Sequence, residues 1–179
     1  RFEADLQFQT ALLLLQERVP KSTGVYTGTA VNENLSTALT TSEIRVIQIS
    51  NTPLPEVQLL SNGRYFVMLS NAGGGYSRWK ETSLTRWRED GTCDNWGTFC
   101  YINDRTQKSF WSTAHQPTLK QADHYEAIFS QGRVEFRRRD NEIETYTEII
   151  VSPEDDVEVR RIHLTNHSAT ERIMEITSY

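Results

Sequence analysis

From Ile44 to Tyr179 the sequence alternates apolar and polar residues with a period of two, in short β-branched and aromatic runs bounded by turn-forming clusters. A helix would smear that alternation around its axis, whereas a strand sorts it into an inward and an outward face. The pattern predicts antiparallel sheets, each with one side in a core. About ten strands are expected. The clearest are Ile44–Ser50, Tyr65–Ser70, Leu84–Arg88, Thr98–Asn103, His124–Ser130, Arg133–Asp140, Ile143–Ser152, Val157–Asn166 and Arg172–Tyr179. The expected class is all-β, an antiparallel β-sandwich.

Upstream, Phe2–Arg18 carries Leu6, Ala11, Leu13 and Leu14 among good helix formers, and Pro20 stops it, so a single N-terminal helix is predicted there. Lys21 to Asn34 is rich in Ser, Thr, Gly and Asn and predicts an irregular connection, with at most a short strand at Val25–Tyr26. Residues 1–24 are therefore assigned to a helix and linker and 25–179 to the sandwich. Glu175 to Tyr179 still reads as strand with no terminating turn, which predicts a sandwich incomplete at its C-terminal side. There is no fixed-period repeat.

Two finer expectations concern register. With Asp140 and Asn141 as a two-residue turn, Arg139 would face Glu142 and Arg137 would face Glu144, with Val134 and Phe136 opposite Thr147 and Thr145. In Val157–Asn166 the apolar parity passes from Val157 and Val159 to Ile162 and Leu164, which predicts a bulge near Arg160 and Arg161.

Charge narrows the function classes. The net charge of −5, from 24 acidic and 19 basic residues spread along the chain, gives no basic field for a phosphate backbone, which argues against nucleic acid. The longest aliphatic run, Ala11 to Leu15, is far below the roughly 20 residues of a membrane span, so no direct membrane insertion is expected. No secretory signal is visible. Cys93 and Cys100 match neither a zinc knuckle nor a Cys-x-x-Cys pair; a cytoplasmic, reduced setting is the simplest expectation, with a hairpin disulfide as the alternative.

The chemistry-bearing stretch is Asn71 to Trp96, where a run of glycines, Gly73 to Gly75, precedes Arg78 and Trp79, then Arg86, Trp87 and Arg88, then Trp96. Glycine admits positive φ or close approach, while Trp and Arg stack on sugar rings and grip hydroxyls. These residues are substrate-binding candidates; the competing explanation is that the glycines form a turn and the tryptophans fill the core. A Gly-Gly-Gly-Tyr-Ser run lacks the Lys-Ser/Thr ending of a phosphate loop. A second group, His115, Gln116, Thr118 and Lys120, lies in a loop fixed by Pro117 and is a candidate pocket wall or lid, set against an ordinary strand connection. No Asp or Glu is marked out as a glycosidic acid, no Gly-x-Ser-x-Gly elbow occurs, and His163 and His167 do not share a helical face for a metal. No catalytic residue, metal or organic cofactor is assigned.

Several motifs in order carry a family resemblance: Leu13 to Pro20, Ser61 to Tyr65, Asn71 to Trp79, Thr85 to Asp90, Asp94 to Gly97, Trp111–Ser112, Gln116 to Thr118 and Val151 to Asp156. Together they resemble the cyclic β-1,2-glucan synthases, over nearly the whole chain. The resemblance implies a galactose-mutarotase-like supersandwich of an inverting glycoside phosphorylase (family 94-like) module. In such enzymes a downstream (α/α)6 barrel supplies the catalytic Asp, so this segment alone would be inactive. It further implies β-1,2-glucan or oligosaccharide as ligand, inorganic phosphate as co-substrate, a homodimer contact, and a place on the cytoplasmic side of a membrane through the parent protein. Cys93, Cys100, Lys80, Glu81 and the irregular stretch before Ile44 depart from the family pattern.

Two rivals remain. One is a free-standing carbohydrate-binding module that stacks glucan on Trp. The other is a mutarotase-like epimerase, which would need His115 or His163 to meet Glu148 or Asp104 in one pocket.

Overall fold

The computed structural model describes residues 44–85 and 96–179. The predicted helix Phe2–Arg18, its linker, Arg86–Arg88 and Cys93 lie outside the described residues. Within them the chain is all-β, with strands β1 (Arg45–Ile47), β2 (Val57–Ser61), β3 (Tyr65–Ser70), β4 (Gly75–Trp79), β5 (Thr82–Ser83), β6 (Cys100–Asp104), β7 (Ser109–Ser112), β8 (His124–Ser130), β9 (Arg133–Asp140), β10 (Ile143–Val151), β11 (Glu158–Asn166) and β12 (Met174–Ser178).

The strands form three antiparallel sheets: five-stranded β1-β8-β9-β10-β11, three-stranded β12-β6-β7 and four-stranded β2-β3-β4-β5. Alternation decides the packing. Ala127, Phe129, Val134, Phe136 and Ile149 point from one face of the five-stranded sheet and meet Leu60, Val67 and Leu69 of the four-stranded sheet. Further along the same face, Ile143 meets Ile102 and Trp111 of the three-stranded sheet, with Leu164 and Met174 against them. The larger sheet is thus covered by the two smaller ones. Each fully buried Phe or Leu contributes about 1.5–3 kcal/mol relative to exposure, which makes this shared face the main source of cohesion.

Four strands escape the period-two reading. β2, β4 and β7 are short, and Gly75, Ser77 and Ser112 lie at inward positions where a larger apolar residue is expected. β5 ends at Ser83, before the predicted Leu84–Arg88 strand. Leu84 and Thr85 turn their amides onto Ser77 O at 2.9 and 3.2 Å, and Thr85 Oγ1 accepts the Ser77 amide at 2.7 Å.

The β9–β10 hairpin is shifted by two residues from expectation. Asp140 pairs with Ile143, Arg139 with Glu144, Phe136 with Thr147 and Val134 with Ile149. The turn is Asn141–Glu142, whose φ values of 48° and 67° place both residues in the left-handed region required by a type I′ turn. A two-residue shift preserves face parity, so the inward set is unchanged.

The predicted bulge in β11 is absent. Pairing with β10 runs unbroken from Val151–Glu158 to Ile143–Asn166. The inward row is Glu158, Arg160, Ile162 and Leu164, while Val159 is exposed. Arg160 fits inward because its guanidinium meets Glu158 and the Thr98 carbonyl. A long aliphatic stem with a paired head can replace an apolar residue at a sheet margin.

Candidate functional site

The two stretches singled out by sequence meet in one place. At the β3–β4 turn the Ser70 amide donates to Gly74 O at 2.8 Å and the Gly73 amide to Ser70 O at 2.9 Å. Gly73 has φ +91°, and a Cβ there would lie 2.3 Å from Ala114 Cβ, so the turn packs against the loop that follows β7. Gly75 is needed for another reason: a Cβ there would stand 1.9 Å from Met68 O. Its amide donates to Trp96 O at 2.9 Å.

The loop Thr113–Lys120 is sewn to that turn and to the sheet beneath. Ala72 O accepts the amides of His115 and Gln116 at 3.1 and 2.8 Å, and the Leu119 amide closes back on His115 O at 2.9 Å. Ser112 Oγ lies 2.7 Å from Ala114 O and 2.6 Å from Gln116 O, with Thr118 Oγ1 at 3.3 Å. Tyr125 donates its hydroxyl to Asn71 O at 2.6 Å. Asn71 in turn accepts the Glu56 amide at 3.0 Å and donates to Ile49 O at 2.9 Å.

Beneath the loop sits a buried ion pair. Arg138 Nε and Nη2 donate to the two oxygens of Asp140 at 2.6 and 2.8 Å, with both side chains essentially inaccessible. The remaining donors reach Ala114 O and, at 3.3 Å, Lys120 O. Burial lowers the pKa of His115, the Arg138 charge adds to that, and a hydrogen bond to the Lys120 backbone works the other way. The imidazole is therefore neutral near pH 7. Burial also drives the Tyr125 hydroxyl far up, so it remains a donor.

Of the predicted loop residues, His115 and Gln116 are buried, Thr118 and Lys120 half-buried. Gln116 Oε1 has no hydrogen-bond partner among the described residues. Lys120 Nζ stands 5.3 Å above the ring of Trp111, which is wholly core and donates Nε1 to Thr145 Oγ1 at 3.3 Å.

Arg78 and Trp79 lie away from the loop, with partners of their own. Trp79 is 39 % exposed and donates Nε1 to Asp156 Oδ2 at 2.6 Å, while Lys80 Nζ lies 4.5 Å over its ring. Asp156 also takes Arg64 Nε at 2.8 Å; the Trp79 hydrogen bond leads in holding its carboxyl below the usual range. Arg78 bonds Lys80 O at 2.8 Å and Glu81 at 3.2 Å. Trp96 is 48 % exposed. Arg86, Trp87 and Arg88 lie outside the described residues. Trp79 and Trp96 are thus not core residues.

The epimerase pairing is not assembled. Asp104 is buried and holds Arg172 at 2.7 and 3.0 Å. Burial alone would raise its pKa, but the bonds from Arg172 and the amides of Gln107 and Thr106 bring it below normal. Glu148 meets Arg133 and Arg161 on the outer face of the five-stranded sheet. His163 is on that face too, exposed, its ring 6.2 Å from Tyr146. Neither acid stands among the partners of His115.

Arg138, Asp140 and Tyr125 were not site candidates in the sequence, where Asp140 entered only as a turn residue and Asn71 only as the first residue of the glycine-tryptophan stretch. Parity could have flagged the first two, because Val134, Phe136, Arg138 and Asp140 share one strand face. Cys100 is a buried thiol pushed up by its burial. Among the described residues no cluster of His, Cys, Asp and Glu could hold a metal ion, and no helix is long and apolar enough to cross a membrane.

Comparison with known proteins gives a consistent answer. The family model described as glycosyl hydrolase 94, supersandwich domain, matches residues 41–179. The chain is similar to the cyclic beta-(1,2)-glucan synthase NdvB of Rhizobium meliloti (strain 1021), with 35% identity over 99% of this chain and 6% of the synthase. It is also similar to the N,N'-diacetylchitobiose phosphorylase of Vibrio furnissii, with 27% identity over 75% of this chain and 17% of that protein. The phosphorylase of the same name from Vibrio proteolyticus is 24% identical over the same shares. The chain therefore spans a small part of the length of each of these relatives.

Proposed function

Because the chain belongs to the glycosyl hydrolase 94 supersandwich family, we propose that it is the sandwich module of a glucan-processing enzyme of the cyclic β-1,2-glucan synthase kind. Its role is scaffold and cleft wall. It braces a downstream (α/α)6 barrel that carries the catalytic acid, and it presents the His115–Lys120 loop toward bound β-1,2-glucan. Inorganic phosphate is the co-substrate, the module contributes to a homodimer contact, and it works on the cytoplasmic side.

The observation that carries this reading is the commitment of the acids nearest the loop and the core. Asp140 is bound to Arg138 and Asp104 to Arg172, so neither carboxylate stands without a cationic partner in the apolar setting that suits a glycosidic acid. The polar loop, in contrast, is firmly held and keeps an unmatched amide oxygen on Gln116. A scaffold that offers hydrogen bonds while these two buried acids are held by arginines suits a partner domain that supplies the acid.

The test is phosphorolysis of β-1,2-glucan by the polypeptide extended through the barrel. Release of glucose 1-phosphate is expected, with affinity weakened by about tenfold, ~1.4 kcal/mol, on Lys120→Ala. A protein that neither cleaves nor binds β-1,2-glucan sinks the substrate assignment. This chain by itself should release no glucose 1-phosphate.

A stand-alone carbohydrate-binding module is the second reading, favoured by the exposure of Trp79 and Trp96. Titration of this chain with β-1,2-oligoglucans separates the two. A module saturates unaided, while a cleft wall binds feebly.

A further inference from the structure

A loop that forms part of a cleft can be a mobile cover or a fixed wall, and the buried arginine beneath Thr113–Lys120 decides between them. Arg138 is an inward residue of β9, with 1% of its surface exposed. Asp140, two positions along on the same face, takes Nε and one terminal nitrogen. The guanidinium plane is thereby fixed from the strand side. Its other donors reach the carbonyls of Ala114 and Lys120, which are the two ends of the loop.

We propose that Arg138, oriented by Asp140, is a positioning residue that clamps both ends of the Ala114–Lys120 loop to β9 and presents it as a rigid wall. The planar fork is what makes this feasible. One guanidinium can satisfy a carboxylate on one edge and two carbonyls on another, whereas an ammonium lacks that fixed geometry. The internal bonds of the loop, from Ala72 O and from His115 O, hold its shape between the clamped ends. The proposal rests on the cleft-wall reading only for its functional consequence, not for the clamp.

Two arms test it on the full chain and on the extended enzyme. Arg138→Ala would strand the buried Asp140 carboxylate and risks unfolding, so the informative variant is the double substitution Arg138→Met with Asp140→Leu, which removes both charges and keeps apolar volume. Amide hydrogen exchange followed by NMR should show Gln116 and Leu119 exchanging at least about tenfold faster, with the β9–β10 ladder unchanged. Arg138→Lys should fall between this variant and the unmodified chain.

Loop amides that keep their protection overturn the clamp, as does a ladder that loosens in step with the loop. Full protection in Arg138→Lys overturns the claim that the fork is what positions. In the extended enzyme, the double variant should raise KM for glucan more than it lowers kcat. A loosened loop with KM unchanged leaves the clamp standing and removes the loop from the cleft.

Discussion

Gly73 sits against Ala114 so closely that a Cβ on the glycine would stand 2.3 Å from the alanine's own. This contact joins the β3–β4 turn to the loop after β7. Two segments about forty residues apart in sequence, both picked out there, come together where Gly73 has no room for a Cβ.

Gly73→Ala should therefore destabilise the chain by more than about 1 kcal/mol, since the φ of +91° and the missing space act together. Ala114→Gly in the same chain relieves the clash but leaves the backbone strain, so only part of the loss returns. Urea midpoints of the three proteins measure this. Unchanged midpoints would mean that the turn and the loop are not packed as described.

Glu142 occupies a left-handed position with φ 67° in the β9–β10 turn, beside Asn141 at 48°. Glycine tolerates that conformation without the Cβ contact, and Asn-Gly is the preferred pair for a type I′ turn. Glu142→Gly should stabilise the chain by about 0.5–1 kcal/mol, a gain limited by the added freedom of the unfolded chain. A fall in melting temperature would contradict the turn assignment.

His115 is 6% exposed and its pKa is lowered, first by burial and then by the Arg138 charge. The unfolded chain takes up a proton near the ordinary value of 6.5, and the folded chain does so only at lower pH. Between these points the unfolded state binds more protons, so the stability due to the neutral ring is present above about 6.5 and lost as pH falls below it. His115→Gln should flatten stability against pH across this window. The measurement is denaturant unfolding at pH 5 to 8; an equal slope in both proteins would refute the assignment.

Asp104 and Arg172 join β6 to the segment before β12, with side chains 0% and 3% exposed. Arg172→Ala strands the carboxylate and should cost at least about 2 kcal/mol, whereas removing both charges by Arg172→Met with Asp104→Leu should cost less. Double-mutant melts give the coupling directly, and additive losses would show that the pair does not interact.

Alternation in the sequence was enough to reveal the sheets, because burial on one face writes itself into every second residue. It located β3 and β8 to within their observed limits and gave the inward parity of Val134 and Phe136. It misplaced the β9–β10 turn by one residue and so the cross-strand pairing by two, since parity is blind to even shifts and the turn is set by which residues adopt positive φ. It inferred a bulge near Arg160 and Arg161 from the parity of Val157 and Val159, but Val159 is exposed and Arg160 turns inward, where Glu158 and the Thr98 carbonyl receive it.

The loop residues His115, Gln116, Thr118 and Lys120 were visible in the sequence as a polar cluster at a Pro-fixed turn. What holds them was not. Arg138 binds carbonyls 24 and 18 positions away, and Tyr125 reaches Asn71 across 54. Composition, period and motif order are local properties, and they were sufficient to determine an all-β chain and the family to which it belongs. Which polar groups end up buried together depends on how three sheets stack. Backbone carbonyls have no side-chain identity, so only the tertiary structure could decide that one guanidinium would bind both ends of a loop.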